Sequence, residues 1–206
     1  MDKWKVCGKN FLFYMALVLV LLAMMGMIFQ AIGVTEDDMV GNTIFRSIFM
    51  IWLPVAVIAL FVVRARKKGF ADMSYNLMIE RKTLNAGGQA YQPTPEEAEH
   101  CFKPSKGFLI GFVSFAPPVL FALLALLFSG VPSAFAVFDP ICRILLNPYL
   151  LLFGFVIDDV MAAYAFLPLS LILPLSYAIA YYTGGRRFRK EHPSLEEEKA
   201  RAQTAG

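Results

Sequence analysis

Three stretches of the chain carry no charged residue and are each long enough to cross a membrane: residues 11–29, 107–138 and 160–185. At 1.5 Å of rise per helical residue, about 20 residues span the roughly 30 Å of hydrocarbon in a bilayer. No water is available there, so a crossing segment must satisfy its own backbone, and a helix does so within one segment. A fourth stretch, residues 44–63, carries Arg46 near its start and no charge from 48 to 63. It also spans if the arginine snorkels to the headgroups. The composition agrees, with 58% hydrophobic residues against 17% charged and a mean hydropathy of +0.58, far from soluble usage.

Lys3, Lys5 and Lys9 ahead of the first run resemble the basic start of a secretory signal. A signal core is roughly 7 to 15 residues long and ends in a small-x-small site. This run is longer and leaves through QAIGVTEDD, so a retained helix is expected.

Orientation follows from the basic residues, which are held on the cytoplasmic side near helix ends. Residues 1–10, 64–106 and 184–206 together hold seventeen of the nineteen Lys and Arg. The short connection TEDDMVGNT has none and three acids, Glu36, Asp37 and Asp38. Both termini and the central loop are therefore expected inside, which requires an even number of crossings. The expected fold is an all-α polytopic membrane protein with four transmembrane helices as two hairpins, N-in and C-in. The spans are residues 11–33, 44–63, 107–128 and 160–183, with a cytoplasmic loop over 64–106, an outer cap over 129–159 and a cytoplasmic tail over 184–206, all in one membrane domain. The expected location is the plasma membrane of a bacterial cell, crossed several times.

The segment 139–159, DPICRILLNPYLLLFGFVIDD, is the ambiguous one. Asp139 before Pro140 and Asn147 before Pro148 each pair a good N-cap with proline at a first helical position. Two short outer helices are expected. The second, from Pro148, is too short to cross, and a crossing here would put the tail outside against the charge pattern.

In the central loop, Met73, Leu77 and Leu84 lie near helical spacing beside Arg and Lys, a pattern for an amphipathic helix on the membrane surface. After AGGQAYQP, Thr94, Pro95 and Glu97 form an N-cap, a first-position proline and a capping-box glutamate, so TPEEAEHCFK reads as a short capped helix. The tail repeats the device with Ser194 and Glu197. A faint echo links LPVAVIALFVVRARKKGF from Leu53 with LPLSYAIAYYTGGRRFRK from Leu173, as a duplicated hairpin of parallel orientation would produce.

Chemistry-bearing motifs are sparse. Cys7, Cys101 and Cys142 form no CxxC and read as free thiols. Glu97 and His100 make a single ExxH, a fraction of a di-iron set. No GxSxG, HExxH or phosphate-binding loop occurs. No charge lies deep in an apolar run, which disfavours proton- or sodium-coupled transport. The outer acids Asp139, Asp158 and Asp159, with Arg143, form a candidate charged cluster, read as surface acids paired to the arginine. Only their convergence in one pocket would support an enzyme. Pro54, Pro117, Pro118, Pro168 and Pro174 are candidate kinks, with Ser114, Ser170 and Ser176 near enough in sequence to satisfy freed carbonyls. Gly107 and Gly111 lie four apart, a spacing that lets helices approach closely, here against the fourth span.

No catalytic set, cofactor or metal site is read from the chain, and net charge +3 without an aromatic-basic platform gives no reason to expect nucleic acid. The expected function is that of a non-enzymatic accessory or assembly subunit. Its partners would be the lipid bilayer, anionic headgroups at the basic clusters RARKK and RRFRK, and a protein partner or further copies of itself. The alternative is a small oligomeric transporter or channel for a small solute, with Ser114, Pro117, Ser170 and Tyr177 around a path.

Overall fold

The computed structural model describes residues 2–31, 39–85, 91–153 and 159–193. Among them the chain is all-helical, without a strand. The elements are α1 (Asp2–Ala31), α2 (Met39–Asn85), α3 (Pro95–His100), α4 (Pro104–Ser114), α5 (Ala116–Leu127), α6 (Pro132–Phe153) and α7 (Asp159–Glu191). One helix, Tyr164–Glu191, is long and apolar enough to cross a membrane on its described residues; α4 and α5 pass the same test together, as one span bent by 62°.

Contacts fix the direction in which each helix runs. In α1 and α2, Phe13 and Tyr14 meet Phe61 edge-on while the Arg64 guanidinium lies over Phe13, so these two form an antiparallel pair. Cys7 and Asn10 of α1 face Ile110 and Ser114 of α4, each about the same distance further along, so α1 and α4 run in the same direction. Likewise Asp72 and Glu80 of α2 face Tyr181 and Arg189 of α7, again in parallel. Gly107 meets Tyr181 and Gly111 meets Pro174, so α4 opposes α7. α1 and α4 therefore run one way and α2 and α7 the other. The basic runs at residues 64–68 and 186–190 fall at one end, called here the basic end.

The centre is filled by aromatic rings. Tyr14, Phe61 and Phe115, all fully buried, meet edge-to-face with centroids 5.1 to 6.2 Å apart. Such pairs contribute about 0.5–1.5 kcal/mol each beyond the area they bury. The outer faces of the same helices are apolar and uncovered: Leu12, Trp52 and Ile179 are 67%, 70% and 64% exposed.

Two differences from the sequence expectation stand out. The segment around 139–159 is not two short helices, because α6 runs unbroken from Pro132 past Asp139, Asn147 and Pro148. Asp139 does not cap; both its oxygens take the Arg143 Nε, one turn on, at 3.0 and 2.8 Å. At 22 residues α6 is about 33 Å long, so length no longer argues against a crossing there. It folds back along α5, with Phe128 stacked on Phe138, and buries Cys142, Leu145 and Leu146 where Tyr14 donates to the Leu145 carbonyl.

The second difference is α2, which continues through RARKK, where an end was expected, for 47 residues. Lys and Arg are good helix formers, and the face Phe61, Ala65, Gly69, Asp72 stays packed against neighbouring helices. Within this extension Leu77 is buried and Leu84 is 40% exposed. Within the second basic run, Phe188 is buried edge-on against Phe70 at 4.7 Å.

The prolines act unevenly. Pro54, Pro168 and Pro174 are carried inside α2 and α7. Pro117 and Pro118 open α5 just beyond Phe115, where the 62° break lies. Placing them in the first turn of a new helix avoids the missing-donor penalty of an interior site.

Candidate functional site at the basic end

The densest chemistry lies where α2, α4 and α7 meet at the basic end. Asp72 is fully buried. Its Oδ2 takes the Lys106 Nζ at 2.6 Å and the Tyr181 hydroxyl at 2.7 Å. Lys68, one turn before it on α2, lies 2.9 Å from Oδ1, a contact of charge without hydrogen-bond alignment. Lys106 is itself buried and donates as well to the carbonyls of Glu99, at 2.7 Å, and Cys101, at 3.4 Å. An ammonium has three protons, and all three have acceptors. Desolvating two charges costs several kcal/mol each, so a buried pair persists only when its remaining capacity is met in this way.

The surroundings explain how the helices come close enough. A Cβ on Gly69 would collide with the Tyr181 carbonyl, one on Gly107 with the Tyr181 ring, one on Gly184 with the Arg66 backbone and one on Gly185 with the Phe102 ring. Phe102 stacks flat on Tyr181 at 5.1 Å, and its backbone is held at both ends by Asn76, which accepts from the Phe102 N–H at 2.9 Å and donates to its carbonyl at 3.3 Å. The result is a closed lock joining three helices and the segment before α4. Asp72 is sealed inside it, while the Lys68 side chain remains partly exposed.

Below this lock the long end of α2 is fastened twice more. The Thr94 hydroxyl accepts from the Glu97 N–H at 3.3 Å and the Glu97 carboxylate accepts from the Thr94 N–H at 3.0 Å, a full capping box on α3 with Pro95 at its start. Glu97 then takes Lys82 of α2 at 2.5 Å and the Tyr91 hydroxyl at 2.8 Å. These donors, Lys82 first, then the Thr94 amide and Tyr91, hold the Glu97 carboxyl down at about 2. Arg189 of α7 reaches both oxygens of Glu80 at 2.9 and 3.2 Å.

Beside the lock, α2 and α7 leave an open cleft of about 560 Å³. Arg66, Lys67 and Phe70 line one side, Thr183, Gly184 and Arg187 the other, with Glu191 at the edge. Arg187 gives its Nε to Glu191 at 2.7 Å.

The residues singled out by sequence fall elsewhere. Gly107 and Gly111 both face α7, where a Cβ on Gly111 would sit 2.7 Å from the Pro174 carbonyl oxygen. Asp139 and Arg143 pair with each other on α6. Asp158, Ser194 and Glu197 lie outside the described residues, as do the side chains of Arg46 and Asp159. Glu97 and His100 do not share a site, because Glu97 is bonded to Lys82 while the His100 ring stacks on Tyr75 at 5.0 Å. Among the described residues no three His, Cys, Asp or Glu gather as metal ligands would. Asp72 and Lys106 were missed. One signal was present, an aspartate within GFAD one turn after Lys68, beside glycine and within reach of a basic helix start. The chain matches no protein-family model, no curated protein and no solved structure.

Proposed function

We propose that the chain is a four-span membrane protein, N-in and C-in, that works as a non-enzymatic accessory or assembly subunit through partners rather than by chemistry of its own. The observation that carries this reading is the filled aromatic centre of Tyr14, Phe61 and Phe115 inside a sheath of exposed apolar side chains. A water-facing bundle would show the reverse pattern on its outer face, and a solute path would need a polar lumen at its centre. The side chains a transporter would use are occupied. Ser114 pairs with Asn10 at 3.4 Å, and Ser170 returns its hydroxyl to the Leu167 carbonyl at 2.7 Å. The opposed directions of α1 and α4 against α2 and α7 support an even number of crossings, and α6 reads as a segment inserted from the far side without completing a fifth.

The long inner end of α2, with α3 and the end of α7, is the rigid surface such a subunit would present to a partner. Copurification from native membrane with mass spectrometry tests the proposal. A protein partner recovered in fixed ratio is expected; a chain that runs as a lone homo-oligomer overturns the accessory reading.

A further inference from the structure

We propose that the cleft between α2 and α7 binds the phosphate headgroup of an anionic phospholipid. The inference rests on the membrane reading above and adds a specific site to it. Several cations at the basic end already face protein partners: Lys68 and Lys106 meet Asp72, Arg64 lies over the Phe13 ring, Arg186 over the Tyr182 ring, and Arg189 meets Glu80. Among the four cations of residues 64–68, Arg66 and Lys67 have no acid within ion-pair reach among the described residues, and both line this cleft. Arg187 faces them from α7 and uses Nε for Glu191, which leaves the other guanidinium nitrogens for an oxyanion.

The cleft is rigid where it matters. Gly184 packs directly on the Arg66 backbone, so the cations of the two helices are held across a fixed contact. Phe70, braced by Phe188, forms an apolar wall. At about 560 Å³ the space falls within the 300–1,000 Å³ usual for small-molecule sites, with room for a headgroup and not only for a phosphate.

What favours a lipid over a soluble anion is the surface one turn away toward the apolar body. Val63 lies three and four residues before Arg66 and Lys67, and Ile179 four before Thr183, so each sits on the same helix face as the cleft residues. They are 50% and 64% exposed. A charged mouth thus continues into an apolar ridge, which suits an acyl chain attached to the bound phosphate.

The test uses the full chain in neutral detergent with phosphatidylglycerol as probe, phosphatidylcholine as zwitterionic reference and inorganic phosphate as soluble anion, read by native mass spectrometry. Because basic residues also set insertion, the substitutions are made singly. Arg66→Gln, Lys67→Gln and Arg187→Gln should each weaken phosphatidylglycerol binding roughly five-fold, the equivalent of about 1 kcal/mol per cation. Glu191→Gln should strengthen it, and Arg81→Gln, outside the cleft, should leave it unchanged. Equal weakening by Arg81→Gln, or equal affinity for phosphatidylcholine, overturns the site. Displacement of the lipid by inorganic phosphate at similar concentration reassigns the cleft to a soluble oxyanion and overturns the lipid. Release of the chain from native membrane by alkaline carbonate would sink the membrane reading itself; a chain that stays inserted while binding ignores the cleft variants sinks only this inference.

Discussion

The Lys106 ammonium sits 2.6 Å from the Asp72 carboxylate, with both side chains removed from solvent, and so ties the start of α4 to the middle of α2. Removing one member of a buried pair leaves the other charge without compensation, at a cost of roughly 3–5 kcal/mol. Asp72→Leu and Lys106→Met should each lower the thermal midpoint in detergent steeply. The double variant should lose less than the two single losses added, since no orphaned charge remains. Strict additivity in the double-mutant cycle would show that the two groups do not interact.

Close helix approach at glycine makes a second prediction. Gly184→Leu and Gly111→Leu place side chains against the Arg66 backbone and the Pro174 carbonyl, and overpacking of this kind costs about 1–3 kcal/mol. Both should lower the midpoint. Gly8→Ala, where nothing lies within 4 Å, should leave it unchanged or raise it slightly, because alanine is the better helix former. A Gly184→Leu protein as stable as the parent would remove the close contact from the account.

The α3 clamp should be sensitive to acid. Glu97 has its carboxyl held down from 4.5 to about 2 in the fold. A carboxyl depressed in the folded state binds fewer protons there than when released, so its contribution is complete above pH 4.5 and fades as pH falls toward 2. On the alkaline side, Lys82, raised above 10.5 chiefly by Glu97, contributes below that value and loses its contribution as pH rises through its folded pKa. Amide exchange at Ala98 and Cys101, whose N–H groups close α3, should therefore speed up between pH 4.5 and 2 relative to the intrinsic rate. Glu97→Gln should abolish that dependence; a persistent dependence in the variant would assign it to another group.

What was legible in the sequence was local chemistry. Thr94, Pro95 and Glu97 announce α3 because a capping box needs only neighbours in the chain, and Pro117 with Pro118 announces the break because proline acts on its own backbone. Gly107 and Gly111 announce a close contact by spacing. The lock was not legible, since the apolar pattern of α2 gives no reason for Asp72 to be inside until Lys106, 34 residues on, and Tyr181, 109 residues on, are placed beside it. The same limit explains α6. Asp139 and Pro140 carry the marks of a helix start, and only the pairing of Asp139 with Arg143 and the burial of Cys142 and Leu146 show why the helix continues through them.

The central claim is that the chain crosses the membrane an even number of times, with its basic end inside. Single cysteines at positions 38 and 204, Asp38→Cys and Thr204→Cys in a background with Cys7, Cys101 and Cys142 all replaced by alanine, exposed to a membrane-impermeant thiol reagent on intact cells, test it most directly. The account predicts labelling at 38 without permeabilisation and labelling at 204 only after it. Labelling at 204 on intact cells would contradict it.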